Sequence, residues 1–196
     1  ELVNNHKRKT HQGLNVVPFP QELKGLVVSE SPQIPFKSFV APLATLDRFN
    51  RVIKEYYQRG KLQQHGLSNR RRLLLAGPPG TGKTMSARVL AHELKLPLYT
   101  IQVDRLVTKF MGETSAKLRQ IFDVMVQKQG VYFFDEFDAI GGDRATDNDV
   151  GEMRRVLNAL LQFIEQDQSD SIIVAATNNP KLLDQALFRR FDDVLY

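Results

Sequence analysis

The sequence predicts an α/β fold in which a mostly parallel sheet is covered by helices on both faces. Strand-length segments dominated by apolar residues recur at Arg72–Ala76, Leu98–Val103, Val131–Phe134 and Ile172–Ala176. Strands that read this way are buried on both faces, as in parallel sheets. Between them lie stretches whose apolar residues fall at i, i+3 and i+4, the mark of helices lying against a core. Alternation of the two implies right-handed crossovers. The turn after the first buried strand reads Gly77-Pro78-Pro79-Gly80-Thr81-Gly82-Lys83-Thr84, a complete GxxxxGK[ST] loop in the strand-to-helix setting that phosphate binding requires.

The elements follow in order. Residues 1 to 35 are polar, basic and broken by Pro18, Pro20, Pro32 and Pro35, and read as an N-terminal extension or linker; the folded domain is expected over 36–196. Leu46, Phe49, Val52, Ile53, Tyr56 and Tyr57 predict a helix that Gly60 and Gly66 close. After the phosphate loop a helix runs to about Lys95, and Pro97 stops it before the second strand. Leu118, Ile121, Phe122 and Met125 mark a helix that ends near Gly130, ahead of the third strand. A polar loop spans Gly141 to Asp149, and Met153, Val156, Leu157, Leu160, Leu161 and Ile164 predict the next helix. The fourth strand, a short helix around Leu182 to Phe188 and a strand near Asp193 to Tyr196 complete the chain. It begins with Glu1 rather than Met and stops inside that strand, so a fragment of a longer protein is expected.

With 196 residues, 42% of them hydrophobic, the chain can bury the core of one such domain plus an extension. No apolar run approaches the ~20 residues of a membrane helix, and Lys7-Arg8-Lys9 leads into no signal-peptide core. The absence of cysteine excludes disulfides, thiolate metal sites and a cysteine nucleophile, and fits a reducing compartment, the cytoplasm. The four histidines, His6, His11, His65 and His92, have no metal-ligand spacing and read as surface or linker residues. The net charge of +5 could suggest nucleic acid, but much of the excess sits in two short clusters, Lys7-Arg8-Lys9 and Arg70-Arg71-Arg72, with no aromatic residues between the basic ones. A solvated face or a rim that neutralises phosphate accounts for both, which argues against nucleic acid as a partner.

Glycines let backbone N–H groups fold around phosphates without Cβ clashes, and the helix that follows turns its positive end toward them. Lys83 would reach the β- and γ-phosphates of a nucleoside triphosphate and the Thr84 hydroxyl would ligate Mg²⁺; the binding segment runs through Met85. The third strand ends in Asp135-Glu136. Asp135 can hold the Mg²⁺ through water, and Glu136 beside the γ-phosphate can orient and deprotonate the attacking water. Asp138 reads as a residue that orients its neighbours. At the end of the fourth strand Asn178 can hydrogen-bond that water, since ligands bind at the carboxyl ends of parallel strands. Arg189-Arg190 either complement the dipole of the short helix before them or act in trans on a neighbour's nucleotide.

The segments GPPGTGKT, YFFDEFDAIGG, VAATNN and ALFRRFDD, in this order, resemble the Walker A, Walker B, sensor 1 and arginine-finger regions of AAA+ ATPases of the AAA subgroup, over about Phe39 to Tyr196. The resemblance implies a P-loop NTPase three-layer sandwich on a five-stranded sheet of order 5-1-4-3-2, with ATP at the interfaces of a homo-oligomeric ring, a hexamer. It implies an adenine pocket near Phe39 to Ala41, and it matches Arg190 to the finger and Arg189 to a second arginine. The Pro-Gly that many relatives carry between the two is missing, which leaves their roles open. Thr108-Lys109-Phe110-Met111-Gly112-Glu113 is similar to the pore loop of members that thread polypeptides, with Phe110 and Met111 gripping the substrate. The loop at 141–149 is a candidate second pore contact, and Arg154 and Arg155 either face a neighbouring subunit or are solvated. The helical lid and its sensor 2 residue lie outside the chain. FMGET and LFRRFDD look most like single-ring bacterial ATPases, some of which accompany a subtilisin-like protease, so such a protease is an expected partner. The activity implied is ATP hydrolysis that drives remodelling or unfolding of protein substrates; the alternative is an ATP-controlled switch or loader on a partner protein or nucleic acid that threads nothing. A small-molecule kinase would not require Asp135-Glu136, Asn178 and the paired arginines together.

Overall fold

The computed structural model describes residues 19–109, 112–137, 147–180 and 185–196, the side chains of 108–109, 147–154 and 185–186 excepted. Its strands are β1 (Val27–Glu30), β2 (Arg72–Ala76), β3 (Leu98–Gln102), β4 (Val131–Asp135), β5 (Ile172–Thr177) and β6 (Asp193–Leu195). They form one sheet of order β1-β3-β4-β5-β2-β6, parallel except where β1 runs antiparallel to β3. Read from β6, the five parallel strands stand in the expected 5-1-4-3-2 order.

The sheet has six strands rather than five. The extra one, β1, comes from the proline-broken segment and pairs Val27 with Ile101 through to Glu30 with Leu98. It escapes a search for apolar runs because it is an edge strand of four residues whose middle two are exposed. Leu23 and Leu26, just before it, are fully buried, and Glu30 receives the Arg88 Nε–H at 2.8 Å.

The helices are α1 (Leu43–Tyr57), α2 (Arg59–Gln64), α3 (Lys83–Leu94), α4 (Val103–Lys109), α5 (Thr114–Gln127), α6 (Asp147–Gln166) and α7 (Gln185–Phe188). Two were not expected. Gly60 does not end the helical region: the chain bends at Gln58 and α2 resumes, with the Arg59 guanidinium 4.6 Å over the Tyr56 ring. The second strand stops at Gln102 because Val103, Leu106 and Val107 are buried at helical spacing, which makes α4.

Successive strand residues face opposite sides, so the core is two layers. Tyr132, Phe134, Ile101 and Ile173 pack with α5 and α6 through Ile121, Phe122 and Leu160. Phe133, Leu73, Leu75 and Val174 pack with α1 and α3 through Phe49, Val52 and Leu90. The parallel register pairs Ala76 with Thr177, Phe134 with Ala175, and Gln102 with Asp135. It therefore lines up Gly77, Asp135 and Asn178, each at or just past a strand's carboxyl end, along one edge of the sheet. Among the described residues no helix is long and apolar enough to cross a membrane.

Candidate functional site

The phosphate loop leaves β2 between two anchors. Its first N–H, from Gly77, donates to the Thr177 carbonyl of β5 at 3.2 Å, and Ser86 Oγ in the first turns of α3 donates to the Gly82 carbonyl at 3.0 Å. Gly80 and Gly82 take φ of 81° and 89°, the left-handed region that residues with a Cβ avoid. Such turns curl the backbone into a concavity of amide groups that suits an anion. Thr81 Oγ1 donates to the Pro78 carbonyl at 2.9 Å, and Lys83 Nζ donates to the carbonyls of Gly77 and Pro78 at 2.7 and 2.9 Å, which draws the ammonium over the loop. A Cβ added at Gly77 would sit 3.1 Å from Thr81 Oγ1, so a larger residue there would have to displace the Thr81 side chain. Thr84 is half-buried on the first turn of α3.

A cleft of about 600 Å³ joins this loop to the segment before α1, lined by Phe39, Val40, Ala41, Thr81, Lys83 and Met85 among others. Phe39 is fixed edge-on to Phe49 at 5.4 Å, while Val40 and Met85 stand exposed. One end of the cleft is thus apolar and the other cationic and rich in backbone amides. These are the two chemistries a nucleotide carries, and the residues fit ATP.

At the end of β4, Asp135 Oδ1 accepts the Glu136 N–H at 3.0 Å. Glu136 has φ 52°, a conformation that costs a non-glycine residue about 1 kcal/mol or more. The turn it makes drives Phe137 fully into the core, against Phe191 at 6.4 Å between rings, and leaves the Glu136 carboxylate exposed at the sheet edge. Asn178 is half-buried directly after β5, where the Asn179 N–H donates to Thr177 Oγ1 at 3.1 Å. Among the described residues no group of three His, Asp or Glu side chains could hold a metal by itself. Mg²⁺ would have to draw on Thr84, Asp135 and phosphate oxygens together.

Arg189 and Arg190 are not part of this constellation. They precede β6, whose first residue, Asp193, pairs with Leu73 near the amino end of β2. Asp192 Oδ2 accepts the N–H groups of both Arg71 and Arg72 at 2.9 Å, and the Asp192 N–H donates to the Arg72 carbonyl at 2.8 Å. From Arg72 to Gly77 the chain climbs about 16 Å along β2, at ~3.3 Å per residue. That exceeds the reach of an arginine side chain, so neither arginine serves the phosphate loop of its own chain.

The same amino edge corrects the reading of Arg70-Arg71-Arg72 as a solvated or phosphate-facing cluster. Arg70 pairs with Glu55 at 3.7 Å and Asp193 at 3.5 Å. Arg71 pairs with Asp167 and also donates to its carbonyl, and Arg72 donates to the carbonyls of Glu165 and Asp167 at 3.0 and 3.3 Å. The cluster caps the carbonyl end of α6 and ties it to β2 and β6. Three arginines before a buried strand, with Asp192-Asp193 downstream, were the available signal, but the pairing spans about a hundred residues. His92 likewise is not a free surface residue: it is half-buried, with Nδ1 donating to the Pro32 carbonyl at 3.1 Å. Phe110, Met111, Asp138 and residues 141–146 lie outside the described residues, as does the side chain of Arg154; Arg155 is exposed on α6.

Residues 73–196 match the model of the ATPase family associated with various cellular activities (AAA). An AAA family ATPase, y4kL, of Sinorhizobium fredii is 38% identical over 181 residues, 92% of this chain and 55% of that protein. The proteasome-activating nucleotidase of Methanoculleus marisnigri is 31% identical over 193 residues, 93% of this chain and 47% of that one. The chain thus spans about half the length of these relatives. The crystal structure of the FIGL-1 AAA domain in complex with ADP superposes with a TM-score of 0.72 at 24% identity, covering 93% of this chain and 63% of that one, a likeness of fold.

Proposed function

This chain belongs to the AAA ATPase family, and from that premise we propose that it binds ATP with Mg²⁺, hydrolyses it to ADP and phosphate, and works as a subunit of a ring, a hexamer, that remodels or unfolds protein substrates. The observation that carries the reading is the division of polar residues between the two edges of the sheet: Gly77–Met85, Asp135, Glu136 and Asn178 share the carboxyl edge, and Arg189-Arg190 stand at the amino edge, out of reach of their own phosphate loop. A complete hydrolytic site then needs an arginine from a neighbour, which is a reason for a ring.

The loop amides and Lys83 hold the phosphate chain and offset its charge. Glu136, exposed at the edge, accepts the proton of a water whose oxygen forms a bond to the γ-phosphorus as the bond to the β-phosphate oxygen breaks. Asn178 orients that water. When bound, Mg²⁺ would neutralise charge developing on the phosphate oxygens. An arginine from the next subunit supplies a further positive charge, which the low exposure of such interfaces makes effective.

Protein as the substrate class is favoured by kinship with a proteasome-activating nucleotidase and by the Thr108–Glu113 segment, where Phe110 and Met111 would contact the polypeptide. The pairing of Arg70–Arg72 within the subunit weighs against nucleic acid. A subtilisin-like protease remains the proposed partner and the cytoplasm the proposed location. The test is turnover and copurification with the full-length protein. Glu136→Gln is expected to retain ATP and form ADP about 10² to 10⁴-fold more slowly, trapping substrate; Phe110→Ala is expected to keep basal ATPase within about twofold and lose substrate processing. Full turnover by the first variant overturns the mechanism, and undiminished substrate processing by the second favours a switch that threads nothing.

A further inference from the structure

The cleft that fits ATP is bounded at its two ends by segments far apart in the chain, and α3 touches both. Its first turn carries Lys83 and Thr84 of the phosphate loop. Its last two turns hold the segment from Glu30 to Phe36, which leads from β1 toward the apolar end of the cleft. The Arg88 Nε–H donates to Glu30 at 2.8 Å, His92 Nδ1 donates to the Pro32 carbonyl at 3.1 Å, and Glu93 Oε1 accepts the Phe36 N–H at 2.7 Å. Phe36–Ser38 then form a single 3₁₀ turn, closed by the Phe39 N–H on the Phe36 carbonyl at 2.9 Å, and the chain passes directly into Phe39, Val40 and Ala41 of the cleft lining.

The three contacts are not equal. The side chains of Arg88 and Glu30 are 42% and 35% exposed, and an ion pair in such surroundings contributes little. Glu93 is half-buried, and its carboxylate accepts from a backbone donor, a charge-assisted bond of the stronger kind. Its own backbone is tied as well, since the Glu93 carbonyl accepts the Tyr57 hydroxyl of α1 at 2.6 Å. Past this clip the chain is stiff. Pro35 holds φ at −72° ahead of the turn, the Phe36 and Phe39 rings lie 6.2 Å apart, and Phe39 meets Phe49 of α1 at 5.4 Å. Glu93 itself stands about 15 Å along α3 from Lys83, at ~1.5 Å per residue, too far to touch a phosphate that Lys83 holds.

Resting on the nucleotide-binding reading above, we infer that Glu93 is a positioning residue for the base-bearing end of ATP: through the Phe36 N–H it sets the spacing between the wall at Phe39–Ala41 and the phosphate loop, with α3 as the rigid spacer between them. Glu93 touches no part of the nucleotide. It acts on how well the two ends of the cleft match one molecule, so it governs affinity for a ligand that spans both ends. The grip of the loop on phosphates alone, and the chemistry at Glu136, stay as they are.

The experiment measures, on the full-length protein, the affinities for ATP and for inorganic tripolyphosphate, which has the phosphates without the base, together with kcat at saturating ATP. Glu93→Ala is expected to weaken ATP binding about tenfold, the scale of one hydrogen bond to a charged group, while tripolyphosphate affinity and kcat stay within about twofold. Glu93→Gln, whose amide oxygen still accepts the Phe36 N–H, recovers most of the affinity. A second pair of variants tests the same bond from its other side and leaves α3 untouched. Phe36→Pro deletes the donor and Phe36→Ala keeps it, and both lose the ring, so Phe36→Pro is expected to bind ATP about tenfold more weakly than Phe36→Ala. An equal loss of ATP and tripolyphosphate affinity in Glu93→Ala would mean that the phosphate end is disturbed instead, and overturns the assignment. So does a fall in kcat at unchanged ATP affinity, or equal ATP affinity in the two Phe36 variants. A wild-type protein that binds no ATP overturns the underlying reading as well, and that result is distinguishable because it appears before any variant is compared.

Discussion

The two edges of the sheet use charge in opposite ways. At the carboxyl edge, charged side chains are few and are set by backbone turns: two left-handed glycines shape the loop, and Glu136 itself sits at φ 52° with its carboxylate exposed. At the amino edge charge is dense and internally paired. Arg48, Arg70, Arg71, Arg72 and Arg190 meet Glu55, Glu165, Asp167, Asp192 and Asp193, through ion pairs or backbone hydrogen bonds. The glycine- and proline-rich segment with a single lysine is therefore the candidate anion site, and the three consecutive arginines are paired within the fold. Charge density in the sequence marks the internally paired edge; backbone freedom marks the edge that carries the candidate site.

That contrast makes predictions of decreasing size. Glu136→Gln should cut turnover by ~10² to 10⁴-fold, the range for a positioned general base, and leave the urea unfolding midpoint where it was. A shift of the midpoint along with the rate would mean that the carboxyl edge is structural too, and the contrast would fail. Asp167→Ala should do the reverse. Its side chain is 1% exposed and accepts from Arg71 and from the Ser169 N–H and Oγ–H. Removing it strands a mostly buried guanidinium and should cost about 3–5 kcal/mol of stability by chemical denaturation, with ATP affinity of the folded fraction preserved. Weaker nucleotide binding at unchanged stability would place Asp167 in the site instead. At the rim of the same network, Arg48 reaches Asp193 at 3.2 Å and the Val194 carbonyl at 2.5 Å but is half exposed. Arg48→Ala should cost less than about 1 kcal/mol, and a loss several times larger would show that the amino edge acts as one cooperative unit reaching its outermost charge.

Much of the fold could be read in advance because its signals are local. Four buried strands announce themselves as runs of apolar residues, and α3, α5 and α6 by helical spacing within a dozen or so residues. What escaped were elements whose stability comes from elsewhere. β1 has no buried run and exists because β3 offers it a ladder; α2 persists past Gly60; α4 begins where a strand pattern had not yet faded. The site divides similarly. Gly77–Met85, Asp135-Glu136 and Asn178 are legible because each lies in a short motif at a strand end. Glu165 and Asp167 were invisible, since nothing in their own neighbourhood connects them with Arg71 and Arg190.

Residue order alone dictated the alternation of strand and helix, the phosphate loop with its glycines, and the carboxylate pair at the end of β4. These follow from backbone sterics and from hydrophobic periodicity, which act over a few residues. The packed chain decided which charges face each other. Parallel register set the loop, Asp135 and Asn178 along one edge; the pairing of β6 with β2 carried Arg189 and Arg190 to the other. Long-range ion pairs form only when strands from distant parts of the chain have been brought side by side, so no local pattern could have announced that Arg71 would meet Asp167 or that Arg190 would meet Glu165.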